Sequence, residues 1–257
     1  MKSRTSYLRA LISLRRLLRN DHLVLSALGL AIGAITGAAI IGFRELISFI
    51  QLILFHSDSE RLFQHAQELP WWQILFVPTV AGLVVGIIIY SFMPNQRPQG
   101  VADVIEANAL RGGQISAKVG VGAAITSAIS IGAGASVGRE GPAVHIGASA
   151  SAWIGHHLHL TRSLRRTLLG CGVGAAVAAS FNAPIAGALF ASEVIVGHYA
   201  LKAFAPIVIA SVASTALSRS IFGDFPAFAL DTNIITSFWE FPAFVLLGLV
   251  SGAVAIV

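Results

Sequence analysis

The sequence predicts an all-α, polytopic membrane protein, and three observations carry that fold class. Only 11% of its 257 residues are charged, against roughly 25% in soluble domains, while 55% are apolar. Several uncharged stretches reach about 20 residues, the length at which a helix crosses a ~30 Å hydrocarbon core. One of them carries a proline in its middle, so at least one helix is expected to break at bilayer depth. This composition excludes a soluble globular protein.

Residues 1–21 come first. Lys2, Arg4, Arg9, Arg15, Arg16 and Arg19 alternate with Leu and Ile at helical spacing, with no acid before Asp21, the pattern of a basic amphipathic helix lying on a membrane surface. The uncharged run Leu23–Phe43, continuing with little interruption to Phe55, is too long for a signal peptide core and reads as a retained transmembrane helix. Further uncharged runs are Trp71–Gln96, Val119–Gly138, Gly141–Thr161, Thr167–Ser192, Ala203–Ser218 and Phe241–Val257.

Alternating these runs from a cytoplasmic N-terminus puts Arg97–Lys118, Arg162–Arg166 and Lys202 on the cytoplasmic side. Thirteen Lys and Arg then lie inside and two, Arg61 and Arg219, outside, where the loops instead hold Asp58, Glu60, Glu68, Asp224, Asp231 and Glu240. That asymmetry is the positive-inside bias. The parity holds only if Thr167–Ser192 is two crossings, and Asn182-Ala183-Pro184 supplies the break that splits it into two half-length helices. Unwound backbone at that depth is tolerated only where protein or a polar cavity satisfies it, which points towards a transport pathway. Gly29, Gly33 and Gly37, and again Gly82 and Gly86, recur every four residues, as expected of helix faces packed closely through small residues.

Chemistry concentrates between Gly132 and Gly147. Arg139 and Glu140 stand between uncharged runs of 20 and 21 residues, and a charge at bilayer depth costs roughly 2.5–3.5 kcal/mol on insertion scales. A short hydrated turn would hold the same two charges. The neighbours favour a site: Pro142 suits a first helical turn, the glycines admit close backbone approach, and unpaired N–H groups at a helix start attract anions. There Glu140 would act as a tethered anion that yields to a free one when protonated or swung aside, with burial raising its pKa and the helix start lowering it.

Gly138-Arg-Glu-Gly-Pro142, followed by Phe181-Asn-Ala-Pro-Ile-Ala-Gly187, resembles the ClC family of chloride channels and proton-coupled chloride exchangers. The resemblance implies a fold of two inverted repeats of broken, tilted helices whose amino ends converge on anion sites, each subunit of a homodimer having its own pore. It also implies that Glu140 is the external gating glutamate and that Gly138, Arg139, Gly141 and Pro142 belong to the anion site. Arg139 would either draw anions to the entry or pair with a carbonyl.

The family's earlier anion-binding stretch, usually Gly-Ser-Gly-Ile-Pro, aligns with Pro98-Gln99-Gly100-Val101-Ala102, followed by a short helix over Asp103–Leu110. Gln99 stands where the serine hydroxyl faces chloride, and its amide N–H₂ could donate to an anion; a turn merely rich in turn formers fits the same letters. Glu193 aligns with a family glutamate that exchangers commonly follow with a second, proton-passing one. Val194 stands there instead, and an apolar group cannot relay a proton, which tilts the reading from exchanger to channel. Glu193 itself fits a pore-side proton site or the end of a half-helix near the cytosol.

The remaining expectations are plainer. Cys171, the one cysteine, reads as a small buried core residue. His156, His157 and His159, beside Arg162, Arg165 and Arg166, read as a solvated basic loop rather than a metal site. No metal, organic cofactor, nucleic-acid partner or enzymatic activity is expected, since no His-Glu-x-x-His or buried aspartate pair occurs; chloride is the expected bound ion and membrane lipid the expected surroundings. By resemblance, 22–222 is the first transmembrane repeat and 223–257 an outer loop and the start of a second. The chain then lacks the rest of that repeat and is expected to need it for a complete pore, in a multi-pass protein of the cell's inner membrane.

Overall fold

The computed structural model describes residues 21–56, 69–197, 200–224 and 237–256; the amphipathic segment expected at 1–21 lies, but for Asp21, outside them. The regular structure among the described residues is all helical, in two units divided near residue 226.

The first unit begins with α1 (Asp21–Phe55). At about 1.5 Å per residue it is about 50 Å long, well beyond the hydrocarbon thickness. Its interruption, Arg44, lies over the Phe222 ring at 3.8 Å, so the cation is offset by an aromatic face. α2 (Trp71–Phe92) follows, then a 3₁₀ turn at Pro94–Gln96 and the short α3 (Val101–Ala109). After α4 (Ala117–Gly132) come α5 (Glu140–His157) and α6 (Arg162–Phe181). α7 (Pro184–Phe190) runs into a π-helical turn at Ala191–Val196, and α8 (Leu201–Phe222) completes the unit. Among the described residues, α1, α2 and α8 are each long and apolar enough to cross a membrane.

The small-residue face of α1 packs as its spacing predicts. Cβ atoms added at Gly29 and Gly33 would run into the backbone of Pro206 and Ala210, and one added at Gly37 would stand in tight contact, 3.1 Å from Ser214 Cα. Both series rise together, so α1 and α8 run parallel and in register, one helical turn per contact. Hydroxyl groups add interhelical bonds: Ser214 donates to the Ala175 carbonyl at 2.7 Å and Ser218 to that of Ala179 at 3.2 Å, joining α8 to α6. Such bonds contribute about 0.6–2 kcal/mol each in a membrane. Leu168, Leu169, Cys171, Val173 and Ala175 of α6 lie at the centre of the buried core, where Cys171 is fully enclosed.

Three expectations are corrected. Gly82 and Gly86 face open space on a helix with no buried residue; four-residue spacing marks a face on which a helix can pack, but a partner has to reach it. The 119–138 run is helical only to Gly132, about 24 Å of helix, because Gly134 and Gly138 take positive φ and unwind the chain ahead of Glu140. The break at Asn182-Ala183-Pro184 is present, with Asn182 left-handed at φ 56° and Pro184 opening α7, yet α6 is 20 residues long. The Arg162–Arg166 segment joins it as a first turn, capped by the Thr161 hydroxyl accepting from Leu164 N–H, so only α7 is short.

The second unit contains α9 (Glu240–Ile256), an apolar helix with Glu240 in its first turn. Ser237 N–H donates to the Glu240 carboxylate at 3.2 Å, closing the helix start.

Candidate functional site

Glu140 is the first residue of α5, and the residues ahead of it are unwound. Gly138 turns at φ +73°, and a Cβ there would run into Glu140 Oε2. The carboxylate is therefore folded back over Gly138 rather than extended along the helix, into space that a side chain at position 138 would contest. Among the described residues it makes no hydrogen bond or ion pair. It is exposed, so the burial expected at this position is not provided by these residues.

α3 approaches the same place. Its start, Gly100, lies against the start of α5: a Cβ on Gly141 would stand 3.8 Å from Gly100 Cα. Two helix amino ends thus converge from segments forty residues apart, each bringing unpaired N–H groups and the positive end of a helix dipole. α3 begins at Val101, two residues before the start expected from sequence.

Two of the expected anion contacts have other partners in this structure. The Gly100 N–H is taken by Asp103 Oδ2 at 2.8 Å, a capping arrangement that occupies this donor. Arg97 pairs with the same carboxylate, its Nη2 at 2.5 Å from Oδ1. Burial pushes the Asp103 carboxyl up, but the Gly100 N–H and the Arg97 guanidinium outweigh it and hold the group below its ordinary range. The Gln99 amide donates weakly, at 3.4 Å, to the carbonyls of Pro94 and Arg97, closing the turn that leads into α3 instead of reaching into the site. Val101, the first residue of α3, stays beside the junction.

Arg139 lies with its guanidinium 5.7 Å from the centroid of the Phe181 ring. The two sequence motifs, Gly138–Pro142 and Phe181–Gly187, therefore meet in space. Beyond Phe181, Asn182 accepts from Arg219 Nε at 2.6 Å and donates to Asp224 at 3.1 Å, pinning the break between α6 and α7.

Residues 81–257 match the family described as Voltage gated chloride channel. The chain belongs to that family. A ClcB-like protein of Ralstonia nicotianae is 33% identical over 225 residues, covering 86% of this chain and 52% of the relative. The voltage-gated ClC-type chloride channel ClcB of Escherichia coli is 28% identical over 192 residues, 74% of this chain and 46% of that protein. Among solved structures, a slow cyanobacterial Cl⁻/H⁺ antiporter superposes with a TM-score of 0.70 at 23% identity, over 91% of this chain and 54% of the other. A CLC-type fluoride/proton antiporter gives 0.70 at 24% identity, over 90% and 55%. The chain has the ClC fold, is a multi-pass membrane protein, and spans about half the length of the relatives it matches.

Glu193 of this ClC chain sits in the π-helical turn Ala191–Val196, with Val194 exposed next to it. π turns inside α-helical segments recur at functional positions. This one is held by a residue that sequence reasoning missed. Asn108 on α3, 1% exposed, donates to the Ile195 carbonyl at 2.5 Å and accepts from Arg166 Nε at 3.3 Å. The basic segment is thus not merely solvated: Arg166 and Arg165 are half-buried, because the start of α6 rests against the end of α3. His156, His157 and His159 are exposed, with His157 Nδ1 donating to the Trp153 carbonyl at 2.8 Å. Among the described residues no group of three or more His, Cys, Asp or Glu is arranged to hold a metal.

Asp103 and His145 were also missed. An acid three residues after a helix-starting glycine was the available signal for Asp103. His145 stands one turn below Gly141 on α5, and nothing in its local sequence marked it.

Proposed function

We propose that the complete protein carries chloride across a membrane through a pathway in which Glu140 competes with the anion for the joined amino ends of α3 and α5. The observation that carries this reading is the convergence itself, Gly141 on Gly100, with the Glu140 carboxylate folded over Gly138. A desolvated chloride needs several donors to replace its water, and unpaired amides at two helix starts supply them without side-chain charge. Glu140, tethered at the mouth and free of ion pairs among the described residues, can enter or leave that space by rotating its side chain. Arg139, beside Phe181, adds positive potential at the approach. Gly138 and Gly141 keep the space open, and Pro142 fixes the first turn.

Val194 supports conduction without strict proton exchange, because the position following Glu193 cannot pass a proton. Proton-coupled exchange, with Glu193 as the cytoplasmic proton site, is the competing mode. The basic segments support a cytoplasmic N-terminus, in a homodimer of the inner membrane.

Chloride efflux from liposomes holding the complete protein tests the reading. Wild type is expected to carry chloride with a rate that depends on pH, and Glu140→Ala to carry it at every pH with little dependence. Unchanged pH dependence in Glu140→Ala overturns the gate assignment. Uphill proton movement driven by a chloride gradient distinguishes exchange from conduction.

A further inference from the structure

His145 is an unusual residue to find in the interior of α5. It is 2% exposed, and neither ring nitrogen has a hydrogen-bond partner among the described residues. A buried polar atom without a partner is costly, a cost that an apolar side chain of similar volume would avoid. Packing alone therefore does not account for an imidazole at this position.

Its location suggests what does. His145 and Gly141 are four residues apart and share one face of α5. That face meets α3, with Gly141 against Gly100 and Asp103 as the charged group acting on His145. His145 thus stands one helical turn along α5 from the joined amino ends. The other charged and titratable groups on the packed elements stand elsewhere. On α3, Arg97 is engaged by Asp103 and Glu106 by Arg111. On α4, Lys118 is exposed in the first turn, and Gly120 faces the His145 carbonyl. α6 carries Arg162, Arg165 and Arg166 at its start and Cys171 in the core, α1 carries Arg44 and Glu45, and α5 itself carries Glu140, His156 and His157. None of these acts on His145 among the described residues.

We propose that His145 is a proton-binding site linked to the anion: it takes up a proton as chloride settles between the amino ends of α3 and α5. An imidazole titrates in the physiological range, and an anion brought into a poorly hydrated site favours a cation beside it. One proton from solvent adds to a ring nitrogen lone pair for each anion bound, so the pair enters the protein without net charge. Asp103, partly exposed in the first turn of α3, supplies the negative charge that faces the protonated ring. This linkage does not use position 194, where Val194 blocks a relay. The proposal rests on reading the two helix starts as an anion site.

The test is calorimetric titration of sodium chloride into the complete protein in detergent, in two buffers of different ionisation enthalpy, which counts protons taken up per anion. Glu140→Gln is the background, so that the gate's own titration is removed. Chloride binding with uptake approaching one proton is expected, with Kd tightening by up to tenfold per pH unit as pH falls from 7.5 to 6. Adding His145→Gln should leave binding but flatten its pH dependence. Equal uptake in that double variant, or binding without proton uptake in Glu140→Gln, overturns the proposal; no chloride binding in any form overturns the anion-site reading itself. Should the His145 variant not fold, Glu140→Gln with Asp103→Asn keeps the imidazole and removes its counter-charge. The midpoint of the pH dependence should then move to lower pH, and an unmoved midpoint counts against His145.

Discussion

Replacing Asn108 by Ala removes two contacts that join three segments: the donor to the Ile195 carbonyl at 2.5 Å and the acceptor for Arg166 Nε at 3.3 Å. The first is an interhelical bond in a buried position, worth about 0.6–2 kcal/mol in a membrane protein. Its loss also leaves the carbonyl without the side-chain donor that held it. The second releases a half-buried guanidinium that can turn towards water, so it adds little. A destabilisation of about 2 kcal/mol is expected, or a fall in melting temperature of about 4 °C at roughly 2 °C per kcal/mol for a large domain. Asn108→Asp separates the two contacts. It keeps an acceptor for Arg166 but presents a carboxylate oxygen to the Ile195 carbonyl, so it should be no better than Ala. Thermal unfolding of the complete protein in detergent, followed by loss of the monodisperse peak on size exclusion, measures both variants. If Asn108→Ala melts within 1 °C of wild type, or Asn108→Asp is more stable than Ala, the buried clasp on the π turn is not what holds that segment.

Gly33→Leu should disrupt the α1–α8 contact, because even a Cβ at Gly33 would stand 2.9 Å from Ala210 Cα. Overpacking of this kind costs about 1–3 kcal/mol, whereas Gly82→Leu, facing open space, should shift the melting temperature little. The Asp103 carboxyl is held low by its partners, so its contribution to stability is present above the unfolded-state value near 3.8 and is lost as pH falls through the lower folded value. Arg97→Gln should raise that folded value and bring the acid loss to higher pH, as followed by an acid titration of the melting temperature. Gly138→Ala should strain a backbone at φ +73° and also displace the Glu140 carboxylate, raising chloride flux at neutral pH more than it lowers stability.

Much of this architecture is legible in the letters where local chemistry decides. Asn182-Ala183-Pro184 marks a helix end and a helix start because a proline has no N–H to give and restricts the residue before it. Glu140 to Pro142 marks the start of α5 for the same kind of reason, and the Gly29, Gly33 and Gly37 face reads correctly as a packing surface. What the letters did not disclose depends on partners distant in sequence. Gly82 and Gly86 carry the same spacing without a helix against them. The bonds of the Gln99 amide to the Pro94 and Arg97 carbonyls, and of the Gly100 N–H to Asp103, appear only once the turn is folded. Asn108 acts on Ile195, 87 residues away, and His145 acquires meaning only once Gly141 and Gly100 are seen to touch.

The central claim is that an anion occupies the space between the amino ends of α3 and α5 in competition with Glu140. Anomalous diffraction from crystals of the complete protein grown in bromide tests it most directly, with wild type and Glu140→Gln compared. A bromide peak within hydrogen-bonding distance of the main-chain amides near Val101 or Gly141, gaining occupancy in Glu140→Gln, is the expected result. A map in which both forms lack any halide there, with the residue 140 side chain directed into bulk solvent, would contradict it.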